Sequence, residues 1–158
     1  MNTRTPTIEL PTEADTIEFG RRLGAVLRAG DLVLLDGSLG AGKTVLTRGI
    51  ATGMGVTGRV TSPTFVLARV HQPGDDGPAL VHVDAYRLGG LAEIDDLDLD
   101  TDLTEAAVVV EWGTGVAERL AEEYLLVELR RRDDDVRELV LVPHGERWER
   151  AAREIVAG

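Results

Sequence analysis

The chain has 158 residues, the length of one domain with its own core and little room for a second, and residues 1–158 are expected to form a single domain. It contains no cysteine, which excludes disulfides, thiolate metal sites and cysteine nucleophiles together. The formal net charge of -11 disfavours independent binding to a nucleic-acid backbone, where Lys and Arg must replace condensed counterions, and it suits a basic protein partner instead.

Residues Thr7 to Leu10 alternate as a short edge strand does, and Thr12-Glu13-Ala14-Asp15 reads as a capped helix start. A helix from about Glu13 follows, with Ile17, Leu23, Val26 and Leu27 broadly on one face and Ala29-Gly30 as its stop. Leu32-Val33-Leu34-Leu35 is short, continuous and apolar, the pattern of a strand buried on both faces of a parallel sheet. A glycine-rich loop comes next, then a helix from Gly42 to about Thr52, ended by Gly53-Met54-Gly55.

Val66 to Val70 and Ala79 to Val83 read as a strand pair around the turn-rich segment Gln72 to Pro78. Asp95 to Asp102 is acidic with leucines interleaved, the composition of a solvated segment with a few buried anchors. The apolar strand Ala106 to Val110 ends at Glu111, and a short helix is expected beyond Gly115. Strands near Tyr124 to Arg130 and Val136 to Val142 surround Asp133-Asp134-Asp135 as an antiparallel hairpin, and a last helix follows Gly145. No apolar run is long enough to span a membrane, and Met1 to Thr7 lacks a signal-peptide core, so a cytoplasmic location is the expectation.

The loop Gly37-Ser38-Leu39-Gly40-Ala41-Gly42-Lys43-Thr44 has the spacing G-x-x-x-x-G-K-[ST], in which glycines let backbone N–H groups converge on phosphate oxygens. The following helix aims its positive dipole end at the same oxygens. Lys43 would span the β- and γ-phosphates, and the Thr44 hydroxyl would ligate Mg2+. A chance match in a chain this long is on the order of 1%. Of 17 basic residues, Lys43 is the single lysine and the other 16 are arginine. The compact ammonium thus stands where a point charge must reach phosphate without a planar fork.

Two strands end in a carboxylate. Asp84 either caps the next turn or serves as a Walker B group toward the metal, and the metal role is preferred. Glu111, next to Trp112, is either a surface carboxylate or a group that binds Mg2+-bound water or orients the attacking water, and the second reading is preferred. Lys43, Asp84 and Glu111 are therefore the candidate catalytic residues. His82 precedes Asp84 by two residues, but a lone strand histidine is more often packing, and it is given no role. Arg130-Arg131-Arg132 beside three aspartates reads as a self-neutralising hairpin in preference to a phosphate clamp.

In order and spacing, Leu39-Gly40-Ala41-Gly42-Lys43-Thr44, Arg48-Gly49, Ser62-Pro63-Thr64-Phe65, Asp84-Ala85-Tyr86-Arg87-Leu88 and Glu111-Trp112 together resemble the bacterial TsaE family, also called YjeE. That resemblance implies a P-loop α/β fold, a mixed sheet with a parallel core and antiparallel additions and helices on both faces. It implies an ATP-binding protein with weak Mg2+-dependent ATPase activity that works with TsaB and TsaD. In that system TsaD carries out N6-threonylcarbamoylation of the tRNA adenosine following the anticodon, so tRNA is reached only through the complex. By the same resemblance Thr44 and Glu111 would hold Mg2+ with Asp84 assisting, Trp112 would stand beside the nucleotide, and Glu13 would lie near its base and ribose. Ser62, Pro63 and Thr64 would form a switch. Gly113-Thr114-Gly115 departs from the family, in which proline or a further carboxylate often follows the Glu-Trp pair. An independent small-molecule P-loop kinase is the alternative, yet no acceptor site is legible. A GTPase is disfavoured, because Asn2 is the single asparagine and no Asn-Lys-x-Asp segment exists.

Overall fold

The computed structural model describes residues 4–37, 41–55, 68–71, 79–84, 106–111 and 122–157. These contain seven strands: β1 (Ile8–Leu10), β2 (Leu32–Asp36), β3 (Ala68–His71), β4 (Ala79–Asp84), β5 (Ala106–Glu111), β6 (Tyr124–Arg131) and β7 (Arg137–His144). Three helices accompany them, α1 (Glu13–Val26), α2 (Lys43–Met54) and α3 (Glu146–Ala157). The sheet runs β1-β7-β6-β2-β5-β4-β3. Its centre, β6-β2-β5-β4, is parallel throughout, while β7 and β1 on one flank and β3 on the other are antiparallel. The mixed α/β sheet expected from the sequence is the one observed.

The central strand is β2, paired in parallel with both β6 and β5. Leu32, Val33, Leu34 and Leu35 are all wholly buried, which is why the strand is apolar at every position and not at alternate ones. Val33 and Leu35 join Ala107, Val109, Val127 and Leu139 in one core cluster with Phe19, Leu23, Leu46, Ile50, Trp148 and Ile155 of the three helices. Leu32, Leu34, Val108 and Val110 point to the other face and are buried as well, so both faces of the sheet's centre are covered.

Helix α1 starts with a capping box: the Thr12 hydroxyl accepts from the Asp15 amide at 3.2 Å, and the Asp15 carboxylate accepts from the Thr12 amide at 2.9 Å. It ends at Val26, before the Ala29-Gly30 stop expected, because the Leu27 amide turns back to the Gly24 carbonyl. Helix α2 runs through Gly53 to Met54 and is terminated by Gly55 in the left-handed region at φ 71°. Gly53 is instead a packing residue. A Cβ there would collide with the Arg21 carbonyl oxygen, and the same holds between Gly20 and Leu46, Gly24 and Ile50, and Gly49 and Ile17. Two glycines on each helix thus let α1 and α2 approach backbone to backbone.

The hairpin β6–β7 turns at Asp133 to Asp135, with Asp135 at φ 68°. Arg131 pairs with Asp135 at 2.6 Å, and Arg132 with Asp134 at 2.6 Å and Glu9 at 3.1 Å, the self-neutralising arrangement expected. Helix α3 buries Trp148, Ala151, Ala152 and Ile155, one stripe at helical spacing. Val66, Leu67, the turn Gln72 to Pro78, the acidic segment Asp95 to Asp102 and the helix expected beyond Gly115 lie outside the described residues. No helix of the described residues is long and apolar enough to cross a membrane.

Candidate nucleotide site

Parallel strands deliver their carboxyl ends to one edge of the sheet, and this is where α/β proteins hold ligands. Here Leu35 of β2 is in register with Glu111 of β5, and Glu111 is in register with Asp84 of β4. The loop after β2 and both strand-end carboxylates therefore start from the same edge. Sequence separations of 27 to 68 residues among Lys43, Asp84 and Glu111 are bridged by the pairing of β2, β5 and β4 and by the loop that leads from β2 into α2. 

The cradle is built from close backbone packing. Gly37 leaves β2 where a Cβ would stand 2.6 Å from the Leu129 carbonyl oxygen of β6. Gly42 caps α2 at φ 107°, the left-handed conformation that glycine adopts without strain. Ala41 is fully buried, and Lys43, at 5% exposure, turns its ammonium back to donate to the Gly37 carbonyl at 2.5 Å. The one lysine thus ties the two ends of its own loop together. Thr44 is partly exposed at the first turn of α2. The Thr47 hydroxyl donates to the Lys43 carbonyl at 2.9 Å and buttresses that turn.

Glu111 is 4% exposed and meets the wholly buried His82 through its Oε2 and the imidazole Nε2. The sequence reading gave His82 no role; its signal was the alternation that put it two residues before Asp84. Arg137 is a second residue the reading passed over. Its side chain stands beside Gly42, with Nε 3.6 Å from the point where a Cβ would lie, and its Nη1 donates to the Asp135 carbonyl at 2.6 Å. This brings a guanidinium to the amino end of α2. Glu13 is exposed in the first turn of α1 and pairs with Arg48 at 3.6 Å, four residues beyond Thr44 on α2. Ser38, Leu39, Gly40, Ser62, Pro63, Thr64 and Trp112 lie outside the described residues.

Thr44, Asp84 and Glu111 offer only oxygen donors, the class that a hard cation such as Mg2+ takes, and Mg2+ is commonly held by one or two carboxylates together with phosphates. The buried Glu111 carboxylate at a strand end fits that chemistry. On the β6 side of the cradle a groove of about 990 Å³ opens beside Gly37, lined among others by Arg4, Asp36, Glu128, Arg130 and Glu138, with Arg4 paired to Glu128. It lies on the other side of β2 from β5 and β4, the strands that end at Glu111 and Asp84.

Comparison with known proteins gives one answer. The family model of TsaE, threonylcarbamoyl adenosine biosynthesis protein, matches residues 10–139. A tRNA threonylcarbamoyladenosine biosynthesis protein TsaE of Streptomyces coelicolor is 56% identical over 146 residues, covering 89% of this chain and 99% of that protein. The protein of the same name from Mycobacterium tuberculosis is 58% identical over 132 residues, 79% of each chain. The crystal structure of Bacillus subtilis YdiB superposes with a TM-score of 0.79 at 30% identity, covering 99% of this chain and 97% of the other. With a family model spanning most of its length and relatives this similar across theirs, the chain belongs to the TsaE family.

Proposed function

We propose that this protein binds ATP and hydrolyses it slowly with Mg2+, and that it supports N6-threonylcarbamoylation of the tRNA adenosine following the anticodon together with TsaB and TsaD. The observation that carries the nucleotide reading is the meeting of three features at one sheet edge. These are the glycine cradle with its buried Lys43, the α2 amino terminus, and the carboxylates Asp84 and Glu111 in register. The tRNA role rests on family membership and on the names of the relatives.

In this reading the N–H groups at the start of α2 donate to the phosphate oxygens, and Lys43 moves from the Gly37 carbonyl to the β- and γ-oxygens. Thr44 and Glu111 would hold Mg2+ with Asp84 assisting, and the ion would supply positive charge against the phosphates. Glu111, anchored in β5, orients the attacking water. Trp112 and Glu13 flank the nucleotide, and Ser62, Pro63 and Thr64 report its state to the partner proteins. The protein acts in the cytoplasm as the energy-coupling subunit, with the transfer chemistry on TsaD.

The test is multiple-turnover ATP hydrolysis alone and with TsaB and TsaD, and modification of unmodified tRNA with ATP against a nonhydrolysable analogue. Lys43→Ala is expected to weaken ATP binding by one to two orders of magnitude, about 1.5–3 kcal/mol for a lost charge-assisted contact. Glu111→Ala is expected to reduce turnover far more than affinity. Unchanged hydrolysis in both variants would overturn the site.

A further inference from the structure

The nucleotide reading leaves the buried contact between His82 and Glu111 without a purpose. His82 is 0% and Glu111 4% exposed, so neither side chain is solvated. A carboxylate removed from water is costly unless a donor replaces the solvent, a penalty of several kcal/mol per ion. A carboxylate that serves a metal or water is ionised and has no hydrogen to give, so on the reading of Glu111 above the donor in this contact is the imidazole Nε2.

We infer that His82 is a positioning residue for ATP hydrolysis, its Nε2–H holding Oε2 of Glu111 so that the carboxylate keeps one orientation at the end of β5. The proposal rests on the reading of Glu111 as the group that serves metal or water. Its geometry comes from the parallel β4–β5 ladder, in which His82 is in register with Val109 and Asp84 with Glu111. The donor therefore reaches forward from inside a strand whose backbone is fixed by β3 on one side and β5 on the other. A rigid donor on one oxygen leaves the second oxygen as the acceptor for magnesium or water, and it removes the rotation about the last side-chain bond that would scatter it. Outer partners of this kind typically change activity by 10- to 100-fold when removed. A histidine kept only for its volume would tolerate an apolar residue of similar size.

Three substitutions separate these cases. Gln places its amide nitrogen where imidazole has Nε2, Asn places it where imidazole has Nδ1, and Leu fills the space with no donor. Expected are turnover within about threefold of the parent for His82→Gln and a loss of about 10- to 100-fold for His82→Asn and His82→Leu. Affinity for ADP without Mg2+ should change by less than about twofold in all of them, because the cradle is untouched. Equal turnover in the Gln, Asn and Leu variants would overturn the proposal. Should His82→Leu fail to fold, the contrast of Gln with Asn decides alone.

A readout free of catalysis is the imidazole 15N spectrum of the nucleotide-free protein, with the His82 signals assigned from their loss in His82→Gln. Nε2 should carry the proton, and Glu111→Gln should shift its resonance. A bare Nε2 would overturn the proposal. If Glu111→Gln itself hydrolyses ATP normally, the site reading fails while the spectrum still decides the contact. If Glu111→Gln is inactive and His82→Leu is active, only the positioning role fails.

Discussion

Asp31 and Arg147 show how a side chain far from the site sets part of the stability. Asp31 is buried just ahead of β2; its carboxylate accepts from Arg147 at 2.7 Å and from the Arg28 amide at 2.6 Å. Burial raises its pKa above the usual carboxylate value, and the Arg28 amide and the Arg147 charge oppose that rise without cancelling it. A carboxyl raised in the folded state contributes stability below its unfolded pKa and loses that contribution as pH rises through its folded pKa. Arg147→Met should raise it further. The variant's deficit in unfolding free energy should therefore widen between about pH 4 and pH 7, reaching about 1.5–3 kcal/mol at neutrality. Denaturant melts across that range check it, and a deficit independent of pH would assign the loss to the Val26 carbonyl bond and the Trp148 contact that Arg147 also makes. Lys43, Thr44, Asp84 and Glu111 were legible as candidates because each sits in a local pattern, a loop spacing or an apolar strand with a carboxylate at its end. The partners of Lys43 and Glu111 were not. Gly37 and Lys43 are tied by a loop whose path no spacing rule draws, and His82 meets Glu111 across 29 residues of chain.

Helices α1 and α2 are joined through glycine at Gly20, Gly24, Gly49 and Gly53. Each glycine costs roughly 0.5–1 kcal/mol of helix propensity relative to alanine, so alanine would stabilise the isolated helices. In the folded protein the sign reverses, because a methyl would meet a carbonyl oxygen of the partner helix. Gly20→Ala and Gly49→Ala are each expected to destabilise by about 1–3 kcal/mol in urea unfolding. A gain in stability from either would mean that the helices sit farther apart. The same packing explains why Gly53 misled the sequence reading: glycine marks a helix end or a close approach, and composition does not say which. Gly55, with its positive φ, is the end. The hairpin β6–β7 was read well, since Asp133-Asp134-Asp135 announces a turn and the arginines beside it pair locally. Its exposed ion pairs contribute little: Arg132→Ala should change stability by less than about 1 kcal/mol, measured in the same urea titration. 

Across the whole molecule the net charge of -11 limits what the surface can hold. A long-range negative field repels phosphate backbones and draws basic protein faces, so the isolated chain is expected to bind tRNA only weakly at physiological salt, while association with the proposed protein partners is expected to weaken as salt rises. Filter binding and titration at two ionic strengths check both halves, and tight tRNA binding by the chain alone would refute the first. From the residues alone one can read the glycine-rich loop, the buried strand before it, the helix it caps and the alternation of the hairpin, because hydrogen-bond spacing, glycine conformation and side-chain period act over a few neighbouring residues. The strand order, and with it the meeting of β2, β5 and β4 at one edge, the His82–Glu111 pair and the guanidinium of Arg137 beside Gly42, followed from packing between distant segments. Which apolar strand lies beside which is fixed by burial and by the fit of helices over the sheet, quantities that belong to the folded chain and to no window of its sequence.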